Sequence, residues 1–396
     1  MGGTAQLGLA SSAEALEQRR LGQVGVLLWG LGCLVGTLAL VWMFLILPLV
    51  SSPTPLRVYV AELIALTLAL PACLVYIWVP VLIDRYDPEP WWTLLMAFLW
   101  GALAAAGMAG FVNTALGLAG GAMGGQLGAS IMGSVVSAPP AEEALKGLAV
   151  LGMFWFLRRE FDGVVDGVIY ATFSALGFAT TENVFYYSAG LVSPEAGAFT
   201  FQVVFRGILE PWGHPLYTPV FGIGIGVARE TPRPWLKWTA PLLGYLGAVS
   251  LHAMWNATAL LSGLTGTPLI VLLLLAYFVV LLLFLGLLAG LVLREGAQLR
   301  RYLKDEMLLG HITEEQFRLI CSPLGRLTAQ LQFGRTGRQL VKVGTRLGMA
   351  KWHASRALAG QVQTISLGAV APLRQQLIGL SRETRARVPP EPAPGH

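Results

Sequence analysis

Apolar residues run almost unbroken from Val24 to Val50, and comparable runs recur near 57 to 83, 93 to 119, 127 to 157, 167 to 190, 201 to 228, 236 to 262 and 268 to 293. Each is long enough to cross roughly 30 Å of hydrocarbon as a helix. The pattern predicts an all-α fold, a polytopic membrane helix bundle of about eight transmembrane helices, because helices satisfy their own backbone hydrogen bonds in lipid. The first run is too long for a signal-peptide core and lacks a small-residue cleavage site, so it is read as a retained anchor. From Arg294 onward the apolar runs give way to helical periodicity broken by Gly and Pro, which predicts a helical cytosolic C-terminal tail. The expected organisation is an N-terminal segment with one extra transmembrane helix (1 to 56), a membrane core (57 to 293) and the tail (294 to 396).

Composition agrees with the pattern: 55% of residues are hydrophobic, 12% are charged, and the mean hydropathy is +0.64. Those values lie outside the soluble range. Positive residues fall on alternate turns. Arg19 and Arg20 precede the first run, Arg85 follows the second, Arg158 and Arg159 follow the fourth, Arg229, Arg233 and Lys237 lie between the sixth and seventh, and Arg294 follows the eighth. The intervening loops, 51 to 56, 120 to 126, 191 to 200 and 263 to 267, contain no Lys or Arg, and Arg57 is the main exception. Cytoplasmic loops retain positive charge, so the expected localisation is the cell membrane, multi-pass, with both termini cytoplasmic. Cys33, Cys73 and Cys321 have no metal-ligand or redox spacing and read as packing residues.

The tail carries 16 Lys plus Arg against 7 Asp plus Glu, an excess of nine. Thr313 and Gln316 fit a capping box, with Ile312 and Phe317 as its hydrophobic staple. Arg335 to Arg356 is basic with interleaved apolar residues, which suits contact with anionic lipid or a protein partner and equally suits a solvated helical tail. Nothing points to nucleic acid. Residues 388 to 396, rich in Pro, are expected to be disordered.

Candidate chemistry comes from ionisable groups inside the apolar runs. Such groups cost roughly 2.5 to 3.5 kcal/mol each on insertion scales and persist mainly where a bundle interior uses them. Glu142 and Glu143 lie mid-run with Lys146 three and four residues on, close enough to neutralise one of them. Pro139 and Pro140 just before them free backbone carbonyls, which implies a hydrated cavity near Glu142. Glu182 lies on the next helix. Arg206, Glu210 and His214 share one face of the sixth run, with Arg206 and Glu210 expected to pair. His252 and Asn256 are one turn apart on the seventh. Together they supply what hydrolysis needs: a base for water, a group holding that base or a metal, and donors for an oxyanion. The Gly-rich stretch 117 to 125 reads as a flexible outer loop, either a lid or an ordinary turn, and Gly222, Gly224 and Gly226 read as a surface for close helix approach.

The order E-E-x-x-K (Glu142, Glu143, Lys146), F-A-T-x-E-N (Phe178 to Asn183), Arg206 followed by His214 in a broken helix, and H-x-x-x-N (His252, Asn256) resembles the PrsW family of intramembrane proteases, itself distantly similar to the CAAX-processing and bacteriocin-immunity membrane peptidases. The polar stretch Asp84 to Pro90 and the stretch Asp166 to Ala171 resemble it too. The resemblance covers about residues 60 to 285 and departs at Asn256, where many members carry Asp. It implies hydrolysis of membrane-anchored proteins such as single-pass regulators, with anti-sigma factors the usual type of substrate. Glu142, Glu143, Lys146, Glu182 and Asn256 are then the catalytic set. His214, His252 and Glu143 would hold a divalent ion such as zinc, although no H-E-x-x-H pair is present and a metal-free glutamate route stays open. Either glutamate could activate the water. Two other classes fit parts of the pattern: a proton- or ion-coupled transporter, for which no internal repeat is evident, and a non-catalytic membrane scaffold.

Overall fold

The computed structural model describes residues 3–86, 88–158, 160–209, 213–266, 269–359 and 366–387, with side chains from Arg20 onward except at 83, 270, 357–359, 366 and 367. Among them there is no strand, and the helices in chain order are α1 (Gly3–Val41), α2 (Leu47–Ser51), α3 (Pro55–Tyr76), α4 (Trp78–Ile83), α5 (Trp91–Leu99), α6 (Ala106–Ser130), α7 (Ala138–Phe156), α8 (Val164–Val192), α9 (Ala198–Val204), α10 (Gly213–Glu230), α11 (Leu236–Thr265), α12 (Leu269–Leu308), α13 (Glu314–Ile320), α14 (Gly325–Ala359) and α15 (Ser366–Ala386). Among the described residues five stretches are long and apolar enough to cross a membrane: Arg20–Ser51, Pro55–Leu82, Trp91–Phe156, Val164–Val192 and Val271–Leu308. The chain divides into two compact units, one formed by Met1–Leu82 and Glu89–Phe284, the other by Ile83–Pro88 and Leu285–His396.

In the first unit α8 is the central helix, buried on nearly every face, as an all-round apolar helix must be. Its first turn is held by Asp166, whose carboxylate accepts from the Gly163 N–H at 2.8 Å and from the Asp162 N–H. Helices α3, α5, α7 and α10 pack around it. Close approach of α10 depends on glycine. A Cβ at Gly222 would collide with the Gly167 carbonyl of α8, one at Gly226 with Val164, and one at Gly224 with Ala240 of α11. Small residues permit such contacts in membrane bundles, as the sequence suggested.

The 66-residue stretch Trp91–Phe156 is not one straight rod. At Gly124 (φ −139°, ψ 21°) and Gly125 (φ 61°, ψ −150°) the helix breaks and the chain returns on itself, bringing Gly128 against Gly120. A positive φ is cheap only for glycine, so Gly125 fixes the reversal. The Gly-rich segment is therefore helical up to a two-residue turn rather than a flexible loop. Further π-helical stretches at Trp42–Ile46, Trp100–Ala105, Ile131–Ser137 and Phe205–Leu209 interrupt the bundle helices. Such stretches leave carbonyls out of register with their usual donors.

The second unit has its own core, in which Tyr86, Leu299, Leu303, Ile312, Ile320, Leu340, Leu347 and Leu377 are buried together. Its α13 starts at the expected capping box: Thr313 Oγ1 accepts from the Gln316 N–H at 3.1 Å, and Gln316 Oε1 accepts from the Thr313 N–H at 2.9 Å. Phe317 packs against the cluster that contains Ile312. Glu306, fully buried, collects Arg374, Lys351 and His311 and so ties α12, α14 and α15 together. All three cysteines are free and buried, and burial pushes the Cys321 thiol up to about 12. Glu210, Pro211, Asp87 and Arg159, and residues 388 to 396, lie outside the described residues, as does the side chain of Arg19.

Candidate active site

Helix α7 begins where its sequence allows it to. Pro139 and Pro140 occupy its first turn, directly after the π-helical stretch Ile131–Ser137. In that stretch the i+5 donor for the Ser134 carbonyl would be Pro139, which has no N–H to give. The carbonyl is instead met by Asn256 Nδ2 of α11 at 2.8 Å, and the Pro140 carbonyl by Tyr245 Oη at 3.0 Å. Pro139 thus exposes a backbone acceptor that Asn256 of α11 uses.

One turn later come the two glutamates, both buried and held differently. Glu143 is saturated. Lys146 Nζ donates to its Oε1 at 2.6 Å, His252 Nδ1 to the same oxygen at 3.0 Å, and Thr218 Oγ1 to Oε2 at 2.8 Å. Glu142 has one oxygen anchored: Asn113 Nδ2 of α6 donates to Oε1 at 3.0 Å, and Ser137 Oγ donates to Asn113 Oδ1 at 2.8 Å. Its other oxygen, Oε2, is buried and has no hydrogen bond. Lys146 Nζ is 3.7 Å from that oxygen and His252 Nε2 is 3.9 Å from it. Burying a carboxylate oxygen without a hydrogen bond is expensive unless something else is meant to meet it.

The histidines are each oriented by a carboxylate on one ring nitrogen. His214 Nε2 donates to Glu182 Oε2 at 2.7 Å, leaving Nδ1 to accept from Lys146 Nζ at 3.0 Å. His252 gives Nδ1–H to Glu143 and turns Nε2 toward Glu142. The rings lie edge to face with centroids 5.1 Å apart. Glu182 is also paired with Arg206, whose Nε donates to Asn183 Oδ1 at 3.1 Å. The expected partner of Arg206, Glu210, lies outside the described residues.

These groups border a cavity of about 280 Å³ whose walls include Asn113, Glu142, Glu182, Arg206, His214, His252 and Asn256, with Leu40, Met43 and Phe44 on an apolar side. One ligand atom from each of Glu142, His214 and His252 lies within 4.8 Å of the others. This donor set fits a divalent cation: an orphaned carboxylate oxygen, two imidazole nitrogens, and a carboxylate behind each histidine of the kind that fixes the tautomer of metal ligands. Lys146 donates to the His214 nitrogen that an ion would need, so the two compete for it.

The structure brings every sequence-derived site residue to this cavity or its immediate support. Glu142, Glu182, His214, His252 and Asn256 line it, while Glu143 and Lys146 form the buried pair behind Glu142. Asn256 spends its amide on Ser134 rather than on His252. Three supports were not read from the sequence: Asn113, Ser137 and Thr218. Asn113 was the most findable, since it is an amide in the middle of the apolar run 93 to 119.

Residues 89–285 match the family described as PrsW family intramembrane metalloprotease. The chain is 28% identical over 184 residues to Protease PrsW of Geobacillus kaustophilus, covering 44% of this chain and 69% of that protein. It is 29% identical over 133 residues to Protease PrsW of Halalkalibacterium halodurans, covering 31% of this chain and 57% of that protein. No solved structure matches the chain. The carboxylate-backed histidines and the cavity-facing Glu142 lie within the matched segment, and this core of the chain, residues 89–285, belongs to the PrsW family of intramembrane metalloproteases.

Proposed function

We propose that the protein hydrolyses peptide bonds of membrane-anchored proteins within or near the bilayer, with Glu142 as the carboxylate that meets the attacking water. The observation that carries this reading is the Oε2 of Glu142, buried in the cavity without a hydrogen bond and facing His252 while its other oxygen is fixed by Asn113. In this assignment Glu143, with both oxygens occupied, positions Lys146, His252 and α10 rather than acting on water. The substrate class, single-pass regulators of the anti-sigma-factor type, follows from the family resemblance.

Water placed against Glu142 gives its proton to Oε2 as its oxygen attacks the scissile carbonyl carbon. The carbonyl oxygen gains negative charge, which a donor on the cavity wall stabilises; Arg206 is the candidate. The proton then passes from Glu142 to the amide nitrogen as the C–N bond breaks, releasing amine and carboxylic acid and regenerating the carboxylate. Glu182 and Glu143 keep the two imidazoles oriented throughout. A divalent ion held by Glu142, His214 and His252 would supply acidification of a bound water and polarisation of the carbonyl, and would take Glu142 Oε2 as a ligand in place of its role as the base. The membrane orientation belongs to the same proposal: both termini on the cytoplasmic side, with the loops free of Lys and Arg outside.

The test compares membrane-protein fragments by mass spectrometry in cells making the intact protein and cells making Glu142→Gln at equal abundance. Fragments that vanish with Glu142→Gln support proteolysis and identify substrates. Identical fragment patterns across several growth conditions, with both proteins folded, overturn it.

A further inference from the structure

The second unit presents a surface that the hydrolytic site does not use. Helix α14 contains seven Lys and Arg and no Asp or Glu over 35 residues. One side of it is core, since Ala329, Leu340 and Leu347 are fully buried in a single cluster. The opposite side is exposed and carries Leu327 and Leu331, 59% and 79% exposed, followed by Arg335, Arg338, Lys342 and Arg346. These positions advance by three or four residues, so each set forms a stripe on its own arm of the helix, on either side of a bend at Gly334 (φ 62°). Both stripes turn away from the same core.

A helix stabilised only by solvent would be expected to interleave acids with its bases at i, i+4 spacing, whereas this one sets an exposed leucine pair, Leu327 and Leu331, beside a run of bases without acids. A second copy of the chain fits this surface badly, because a two-fold contact would set one basic stripe against another. A lipid surface satisfies both halves: anionic headgroups meet the bases, and the headgroup–acyl boundary accepts the leucines. That surface is also always within reach, since the tail follows an apolar run that ends near residue 293. We propose that this face of α14 docks on the anionic headgroup layer of the membrane that holds the protein, with Leu327 and Leu331 entering the acyl boundary.

The experiment is amide hydrogen exchange on the full chain in nanodiscs of phosphatidylcholine alone or with about 30% phosphatidylglycerol. Exchange over residues 327 to 346 should slow by about tenfold or more in the anionic bilayer. The protection should disappear at about 0.5 M salt, where the screening length falls to a few ångströms. It should also disappear when Arg335, Arg338, Lys342 and Arg346 are all changed to Gln, with exchange around Leu299 and Leu303 unchanged as the check that the unit is folded. Leu327→Ser with Leu331→Ser should reduce the protection without abolishing its salt dependence. Equal exchange in the two bilayers overturns the proposal, as does protection that survives salt. Protection that rises with protein concentration overturns it in favour of a contact between copies.

Discussion

Lys146 has no exposed surface, so its charge must be met inside the bundle, and Glu143 meets it at 2.6 Å. Removing one partner of a buried ion pair costs roughly 3 to 5 kcal/mol, because the other is left uncompensated. Glu143→Gln should therefore destabilise the protein by about that much, while Glu142→Gln, which keeps the pair, should abolish hydrolysis with a much smaller loss of stability. Thermal unfolding in detergent separates the two. Adding Lys146→Met to Glu143→Gln should recover part of the loss, and equal destabilisation by both glutamine variants would count against the assignment. The E-E-x-x-K spacing made a Glu–Lys pair legible in the sequence but could not choose the partner, since i+3 and i+4 both reach. The choice is made by Thr218 and His252, which approach Glu143 from two other helices, and by Asn113, which claims Glu142.

The helices carrying those residues are positioned by backbone contact more than by side-chain fit. Helix α10 brings His214 and Thr218 to α7 and α8, and it lies against α8 where Gly222 faces Gly167. Gly222→Leu would put four carbon atoms where the Gly167 carbonyl now sits, so α10 must shift or detach. Overpacking of this kind costs about 1 to 3 kcal/mol where the structure can relax. The expected result is a lower unfolding temperature together with loss of hydrolysis, whereas Gly263→Leu, with open space at its Cβ, should change neither. Full activity in Gly222→Leu would refute the claim that this contact sets the position of His214. The close-approach glycines of α10 were readable from their spacing, because G-x-G-x-G in an apolar run has few other uses. The hairpin glycines were misread as loop: Gly117, Gly120 and Gly121 are helical, and only Gly124 and Gly125 leave the helix. Composition cannot tell a glycine that breaks a helix from one that lets two helices touch.

At the scale of the whole chain, the apolar runs were legible because hydrocarbon thickness imposes their length, but the runs differ in what surrounds them. Val164–Val192 is a membrane-length helix that is mostly enclosed by protein, whereas Arg20–Ser51 and Pro55–Leu82 are mostly exposed. Helices α10 and α11 carry His214, His252 and Asn256 and fall outside the set apolar enough to cross by composition alone. Charge supplies the orientation that hydropathy lacks. The Lys- and Arg-free connections at 51 to 56 and 191 to 200 should face outward, and the Arg- and Lys-bearing connection near 229 to 237 and the tail should face the cytoplasm. Single cysteines can read this directly, since the native ones are buried and Cys321 in addition has its thiol pushed up to about 12. In intact cells a membrane-impermeant maleimide should label Thr54→Cys and Glu195→Cys, and should reach Pro232→Cys and Glu383→Cys only after the membrane is opened. The reverse pattern would invert the orientation and make Arg57, at the end of α3, the cytoplasmic anchor instead of the exception. Labelling of Thr54→Cys and Pro232→Cys from the same side would instead remove one crossing between them, because an odd number of passes is what separates those two positions.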